Sequence, residues 1–192
     1  MDTPTTAKRF CLILGDNFDD IEAIAVIDLL RRAGVAIDLY GIGRNRIRSV
    51  SGLEYPVDRV FLQRSDLKPS DYAGILLPGG PGVADLLFCT ELIRAIREFH
   101  AAGKLIYAIC GAPLLLDQAG ILDGKRFTCL PAVAPRIKSG SYTEAAVLQD
   151  GNIVTSQALG TSIEGALALI GTIVSPEKQE EIRRYFHIRS IA

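Results

Sequence analysis

Short runs rich in apolar and β-branched residues recur along this chain, and each is separated from the next by a stretch in which apolar residues fall at helical spacing. The runs are RFCLIL (9–14), AIDLYG (36–41), GILLP (74–78), LIYAI (105–109) and NIVTS (152–156). Strands buried on both faces read as continuous apolar runs, and strands that alternate with helices join into parallel sheets through crossovers. The expected fold is therefore α/β, with a mostly parallel sheet and helices on both faces.

Between the first two runs, IEAIAVIDLLRRAG sets Ile21, Ile24, Ala25 and Leu29 at helical spacing as the expected buried stripe, and Gly34 stops the helix. Further helices are expected over residues 91–102, 113–119 and 161–174, and from Pro176 onward. Residues 47–62 read as a β-excursion. No repeat, linker or break in composition marks a second domain, so residues 9–192 are expected to form one domain behind a disordered tail over residues 1–8.

With 48% hydrophobic residues, 22% charged residues and a net charge of -1, the composition is that of a globular protein without the basic stripe that a nucleic-acid partner would require. No signal-like segment occurs and no apolar run reaches the roughly 20 residues of a membrane span, so a membrane partner is not implied and the expected location is the cytoplasm. Cys11, Cys89, Cys110 and Cys129 form no C-x-x-C pair, which argues against a zinc cluster and for free thiols. No motif implies a metal or an organic cofactor.

Cys110 stands between LIYAI and Gly111-Ala112-Pro113. In an open parallel sheet ligands collect at the carboxyl ends of the strands, and a cysteine on a sharp strand-to-helix turn with small neighbours has the setting of a nucleophile. A helix N-terminus behind it would lower the thiol pKa and offer N–H groups to an oxyanion. The alternative is a small apolar filler, the role assigned to Cys11, Cys89 and Cys129. Neither histidine is placed to help: His100 ends the helix before the strand, at the opposite sheet edge, and His187 lies near the C-terminus.

The base or acid is then sought in GDNFDDIEA, which follows the first strand and carries Asp16, Asp19, Asp20 and Glu22. Asp19 with Glu22 three residues on could be a capping box. Alternatively Glu22 points to the thiol as a carboxylic acid kept protonated by burial. GGPG (79–82) reaches the same edge, either as a tight turn or as a source of backbone N–H groups.

The motifs GDNFDDIEA, DLLRRAGV, YAGILLPGGPG, GKLIYAICGAP and TSQALGTSIEGALALI, in this order over residues 9–174, resemble the ThiJ/PfpI superfamily, and within it the branch of the parkinsonism-associated protein and its bacterial relatives. The resemblance implies a flavodoxin-like α/β sandwich, a homodimer with its reactive cysteine near the interface, Cys110 as nucleophile, Glu22 as its acidic partner, and Gly80 and Gly111 as the anion pocket. Three departures stand out: Leu130 precedes Pro131 where some relatives carry histidine, Ala158-Leu159 replaces a frequent Gly-Pro, and Gly52 follows Ser51 where relatives place an arginine.

The resemblance implies first a glutathione-independent glyoxalase or deglycase, an enzyme acting on methylglyoxal, glyoxal or early glycation adducts. An oxidative-stress sensor or redox-regulated chaperone, its Cys110 oxidised to sulfinate, is the alternative. A cysteine peptidase or amidase is disfavoured, since Gly111 rather than histidine follows the cysteine.

Overall fold

The computed structural model describes residues 8–189. Of the expected tail over residues 1–8, residues 1–7 lie outside the described residues, whereas Lys8 is anchored, its Nζ donating to the Ile173 carbonyl at 2.7 Å.

The elements follow in the order β1 (Arg9–Leu14), α1 (Asp20–Arg32), β2 (Ala36–Ile42), β3 (Arg46–Arg48), β4 (Glu54–Pro56), β5 (Arg59–Phe61), β6 (Gly74–Leu77), α2 (Val83–Leu86), α3 (Thr90–Ala101), β7 (Leu105–Ile109), α4 (Pro113–Gln118), β8 (Arg126–Phe127), β9 (Ser141–Tyr142), β10 (Val147–Asp150), β11 (Ile153–Ser156), α5 (Ser162–Ile173) and α6 (Pro176–Tyr185). Seven strands form one sheet in the order β10-β11-β7-β6-β1-β2-β5. Only β10 runs antiparallel to its neighbour. Its sequence, VLQD, is polar and only partly buried, which is why no apolar run announced it. The β-excursion resolves into the β3–β4 hairpin and the edge strand β5.

The period of two along each strand divides the core between the faces. In β1, Cys11 and Ile13 pack with α3 and α4, while Phe10, Leu12 and Leu14 pack with α1 and α5. A sheet filled on both sides has no room for polar side chains in its central strands, and β6 and β7 accordingly read as GILL and LIYAI. This is the flavodoxin-like α/β architecture. No helix among the described residues is long and apolar enough to cross a membrane.

The buried stripe of α1 differs from the expected one. Ile21 and Ile24 are 52% and 40% exposed, and Ala25 is half-buried. Instead Glu22, Ala23, Val26, Ile27, Leu29 and Leu30 face inward. The helix is apolar on two sides, so spacing alone fits two stripes, and packing against α5 and the sheet selects the second. That rotation carries Glu22 into the interior.

Candidate functional site

Cys110 lies on the turn between β7 and α4 with φ +61°, a left-handed conformation that costs a non-glycine residue roughly 1–3 kcal/mol. Its neighbours hold it there. The Cys110 N–H donates to the Ser156 carbonyl at 3.1 Å, and its own carbonyl accepts from the Leu130 N–H at 3.0 Å. Gly111 and Ala112 keep the turn narrow, and Pro113 opens the helix without needing an N–H partner. The side chain is thereby presented at the carboxyl end of the sheet rather than folded into the core.

Glu22 reaches the same point from the first turn of α1. The capping box forms only in half: Asp19 Oδ1 accepts from the N–H groups of Ile21 and Glu22 at 3.0 and 3.2 Å. The Glu22 carboxyl does not return the bond, because it is turned inward to accept from the Gly79 N–H at 2.8 Å through Oε2. The Gly79 carbonyl in turn accepts from the Asp19 N–H at 3.0 Å, so one residue locks the helix start to the turn after β6. A Cβ on Gly79 would stand 2.6 Å from Glu22 Oε2 and 2.8 Å from Cys110 Cβ. Only glycine allows the carboxyl and the cysteine to meet there. Gly80, at φ +103°, similarly has no room for a side chain against the backbone of residues 17–19.

Glu22 is 1% exposed, and no N–H or O–H donor reaches its Oε1. Burial, reinforced by the nearby Asp19 charge, raises its pKa to about 7, while the Cys110 thiol and the Gly79 N–H act in the opposite direction. The thiol is pushed up to about 12, first by burial and then by the Glu22 charge and hydrogen bond. The N–H groups of Gly80 and Gly111 reach the sulfur and pull it down. The depressed thiol expected from a helix N-terminus is thus not found: α4 has six residues, and an adjacent carboxylate outweighs its dipole. Two groups this close titrate as a pair. Burial and the repulsion between the two charged forms disfavour loss of both protons, so near neutral pH one proton is available to the carboxyl and the sulfur.

A cavity of about 330 Å³ opens beside the sulfur, lined by Cys110, Gly80, Gly111 and Asp19, by apolar side chains including Val83, Leu114, Leu130 and Val133, and by Arg136. The four residues expected at the site, Cys110, Glu22, Gly80 and Gly111, are therefore brought together. Asp20 points elsewhere, accepting from Tyr55 OH at 2.9 Å, and Asp16 accepts from the Arg48 N–H and pairs with Arg44. Neither histidine lines the cavity. Cys11 is buried in the sheet, Cys129 is buried behind the turn, and Cys89 stands just before α3 without a side-chain capping bond. Ala158 and Leu159 lie outside the cavity lining, on a turn where Thr161 Oγ1 accepts from the Ala158 N–H at 3.1 Å. Arg136 carries no sequence signal for this place, since nothing in PAVAPRI marks its arginine as lining the cavity. Among the described residues no cluster of three or more His, Cys, Asp or Glu could hold a metal ion.

Comparison with known proteins places the chain in a family. Protein DJ-1 homolog B of Arabidopsis thaliana is 33% identical over 167 residues, covering 86% of this chain; the chain spans only 38% of that longer relative. The Glutathione-independent glyoxalase DJR-1.2 of Caenorhabditis elegans is 29% identical over 181 residues, 92% of this chain and 95% of the relative. The crystal structure of Drosophila melanogaster DJ-1beta superposes with a TM-score of 0.89 at 27% identity, covering 96% of this chain and 100% of that one. Residues 8–172 match the DJ-1/PfpI family as a whole, and the chain belongs to that family.

Proposed function

We propose that the protein is a cysteine-dependent, glutathione-independent glyoxalase or deglycase acting on small α-oxoaldehydes or the early adducts they form. The observation that carries the proposal is the buried Glu22 carboxyl, held by the Gly79 N–H against the Cys110 side chain at the edge of a cavity that Cys110, Gly80 and Gly111 line. A homologue named as such a glyoxalase adds support.

In the reactive form the proton sits on Glu22 and the sulfur is a thiolate. The thiolate adds to the aldehyde carbon while Glu22 gives its proton to the oxygen, leaving a neutral hemithioacetal and a carboxylate. The carboxylate removes the C–H proton from that carbon and the electron pair passes into an enediolate. Returning the proton to the neighbouring carbon, with the hydroxyl proton passing to the second oxygen, yields the thioester of a 2-hydroxy acid. Water then cleaves the C–S bond, releasing the acid and restoring the thiol. Gly80 and Gly111 N–H groups would stabilise the oxyanion of the hydrolysis step. No oxidant, metal or cofactor enters the balance. A cytoplasmic setting, where thiols stay reduced, suits this chemistry.

The test is lactate formation from methylglyoxal without glutathione, beside Cys110→Ser. Cys110-dependent lactate is the expected result. Its absence in folded, reduced protein would favour the second function, a redox sensor or chaperone in which the two N–H groups hold the oxygens of a Cys110 sulfinate. The homodimer is proposed on a separate ground. Ile21 and Ile24 on α1 and Val50 and Leu53 beside the β3–β4 hairpin are exposed, and the two regions are joined through Phe18, Asp20 and Tyr55. A second copy packed on this face would cover these four side chains. Light scattering should report a dimer for the wild type and a monomer for Ile24→Glu.

A further inference from the structure

Of the residues that line the cavity beside Cys110, two are charged, Asp19 and Arg136. Asp19 is committed to capping α1. Arg136 has no ion pair or side-chain hydrogen bond among the described residues and is exposed, so its guanidinium is free to meet a ligand. Its position relative to the sulfur is set by the backbone. The Leu130 N–H donates to the Cys110 carbonyl, the Val133 N–H to the Leu130 carbonyl, and the Arg136 N–H to the Val133 carbonyl, at 3.0, 2.8 and 2.9 Å. Two successive tight turns thus run to the arginine from Leu130, which is bonded to the nucleophile's own carbonyl, and Leu130 and Val133 line the same cavity.

A ligand filling this cavity would meet a thiol and N–H donors, an apolar body along Val83, Leu114 and Val133, and a cation with no ion-pair partner among the described residues. We infer that Arg136 selects substrates carrying an anionic group, a carboxylate or phosphate, a few atoms from the reactive carbonyl. An α-oxoaldehyde with a carboxylate tail fits this description better than neutral methylglyoxal. A guanidinium matches such an anion with paired N–H donors. The inference rests on the oxoaldehyde reaction proposed above only for its substrate. The cation's effect on anions reaching Cys110 can be measured apart from any turnover.

Two ratios test it. The first is kcat/KM for 4,5-dioxopentanoate over that for its uncharged methyl ester. The second is the rate at which iodoacetate alkylates Cys110 over the rate for neutral iodoacetamide, followed on the Cys110 peptide by mass spectrometry. In Arg136→Gln both ratios are expected to fall about fivefold, the size of one partly screened ion pair. Arg136→Lys should retain most of each ratio, and Arg136→Glu should lower both further. Unchanged ratios in Arg136→Gln and Arg136→Glu would overturn the inference even if the oxoaldehydes are turned over. If no oxoaldehyde is turned over but the alkylation ratio falls as stated, anion selection by Arg136 stands and the glyoxalase function fails.

Discussion

The sheet encloses a carboxylate near each end, Asp38 half-buried and Glu22 buried, and the two are treated in opposite ways. Toward the amino-terminal ends of the strands, Asp38 has a side chain 13% exposed and is ringed by donors: Arg9 at 2.7 Å, Arg59 at 3.5 Å and Tyr72 OH at 2.9 Å. Tyr72 OH lies 2.9 Å from Tyr40 OH, so the network continues inward. At the carboxyl ends Glu22 is more deeply buried, yet it receives one N–H, and its charged neighbour Asp19 is of like sign. A carboxylate supplied with counter-charges ties strands together. A buried one without them holds a proton near neutral pH and can exchange it with a thiol.

The largest expected effect falls at the carboxyl end. Cys110→Ser should lower dicarbonyl turnover by about 10³-fold or more, because an alcohol cannot supply the nucleophile at this proton count; lactate release checks it. Glu22→Gln should cost about 10²-fold, the usual contribution of a positioned acid–base group. It should also abolish the rise in Cys110 alkylation rate through about pH 7 that the shared proton predicts for the wild type. Stability separates the variants further. A carboxyl raised from 4.5 to about 7 on folding contributes stability that is complete below pH 4.5 and is lost as pH rises through about 7. Between those limits the wild type should therefore lose up to about 3 kcal/mol relative to Glu22→Gln, measurable by denaturant unfolding at pH 5 and pH 8.

How much of this was legible in the sequence follows from what each residue depends on. β1 and β7 are read to the residue, because apolar runs buried on both faces require no knowledge of their partners. Cys110, Gly80 and Gly111 were accessible for a similar reason, since strand polarity alone sends them to one edge. The face of α1 was not legible: Ile21 and Ala23 are both apolar, and only α5 decides which is covered. The same ambiguity left Glu22 divided between cap and site until Gly79 was seen to bind it. Arg136 depends on the Leu130–Cys110 backbone bond, a contact across 20 residues that no local pattern encodes. Asp38 sits in AIDLYG as a polar break in an apolar strand, and its donors come from β1, β5 and the turn before β6, again beyond local reach.

At the amino-terminal end the expected effects are smaller and fall on stability. Asp38→Ala removes the acceptor of Tyr72 OH and leaves Arg9 and Arg59 without their shared partner. Tyr72 OH keeps Tyr40 OH as a partner at 2.9 Å, so the loss is that of one hydrogen bond to a charged group, about 1.5–3 kcal/mol, which thermal unfolding should register. Turnover should stay within about twofold of wild type, since no group of this network lines the cavity beside Cys110. A tenfold loss of activity in a folded Asp38→Ala protein would break the division between the two ends.

Cys11 offers the finest version of the comparison, because it places a thiol next to the paired carboxylate as Cys110 is placed next to the unpaired one. Cys11 and Asp38 are register partners on β1 and β2. The thiol is fully buried, its Sγ donates to the Gly74 carbonyl at 3.5 Å, and burial drives its pKa well above the ordinary value. Asp38 is engaged by two arginines and a tyrosine, and Cys11 is 0% exposed, out of reach of a reagent in the folded protein. Cys11→Ser should keep the hydrogen bond while exchanging a large apolar sulfur for a smaller hydroxyl, at about 1 kcal/mol of stability and with turnover unaltered. In the wild type, peptide-resolved alkylation should label Cys110 well before Cys11. Equal rates in the folded protein would mean that proximity to a buried carboxyl does not by itself set thiol reactivity, and that the contrast in charge pairing between the two ends of the sheet is not what singles out Cys110.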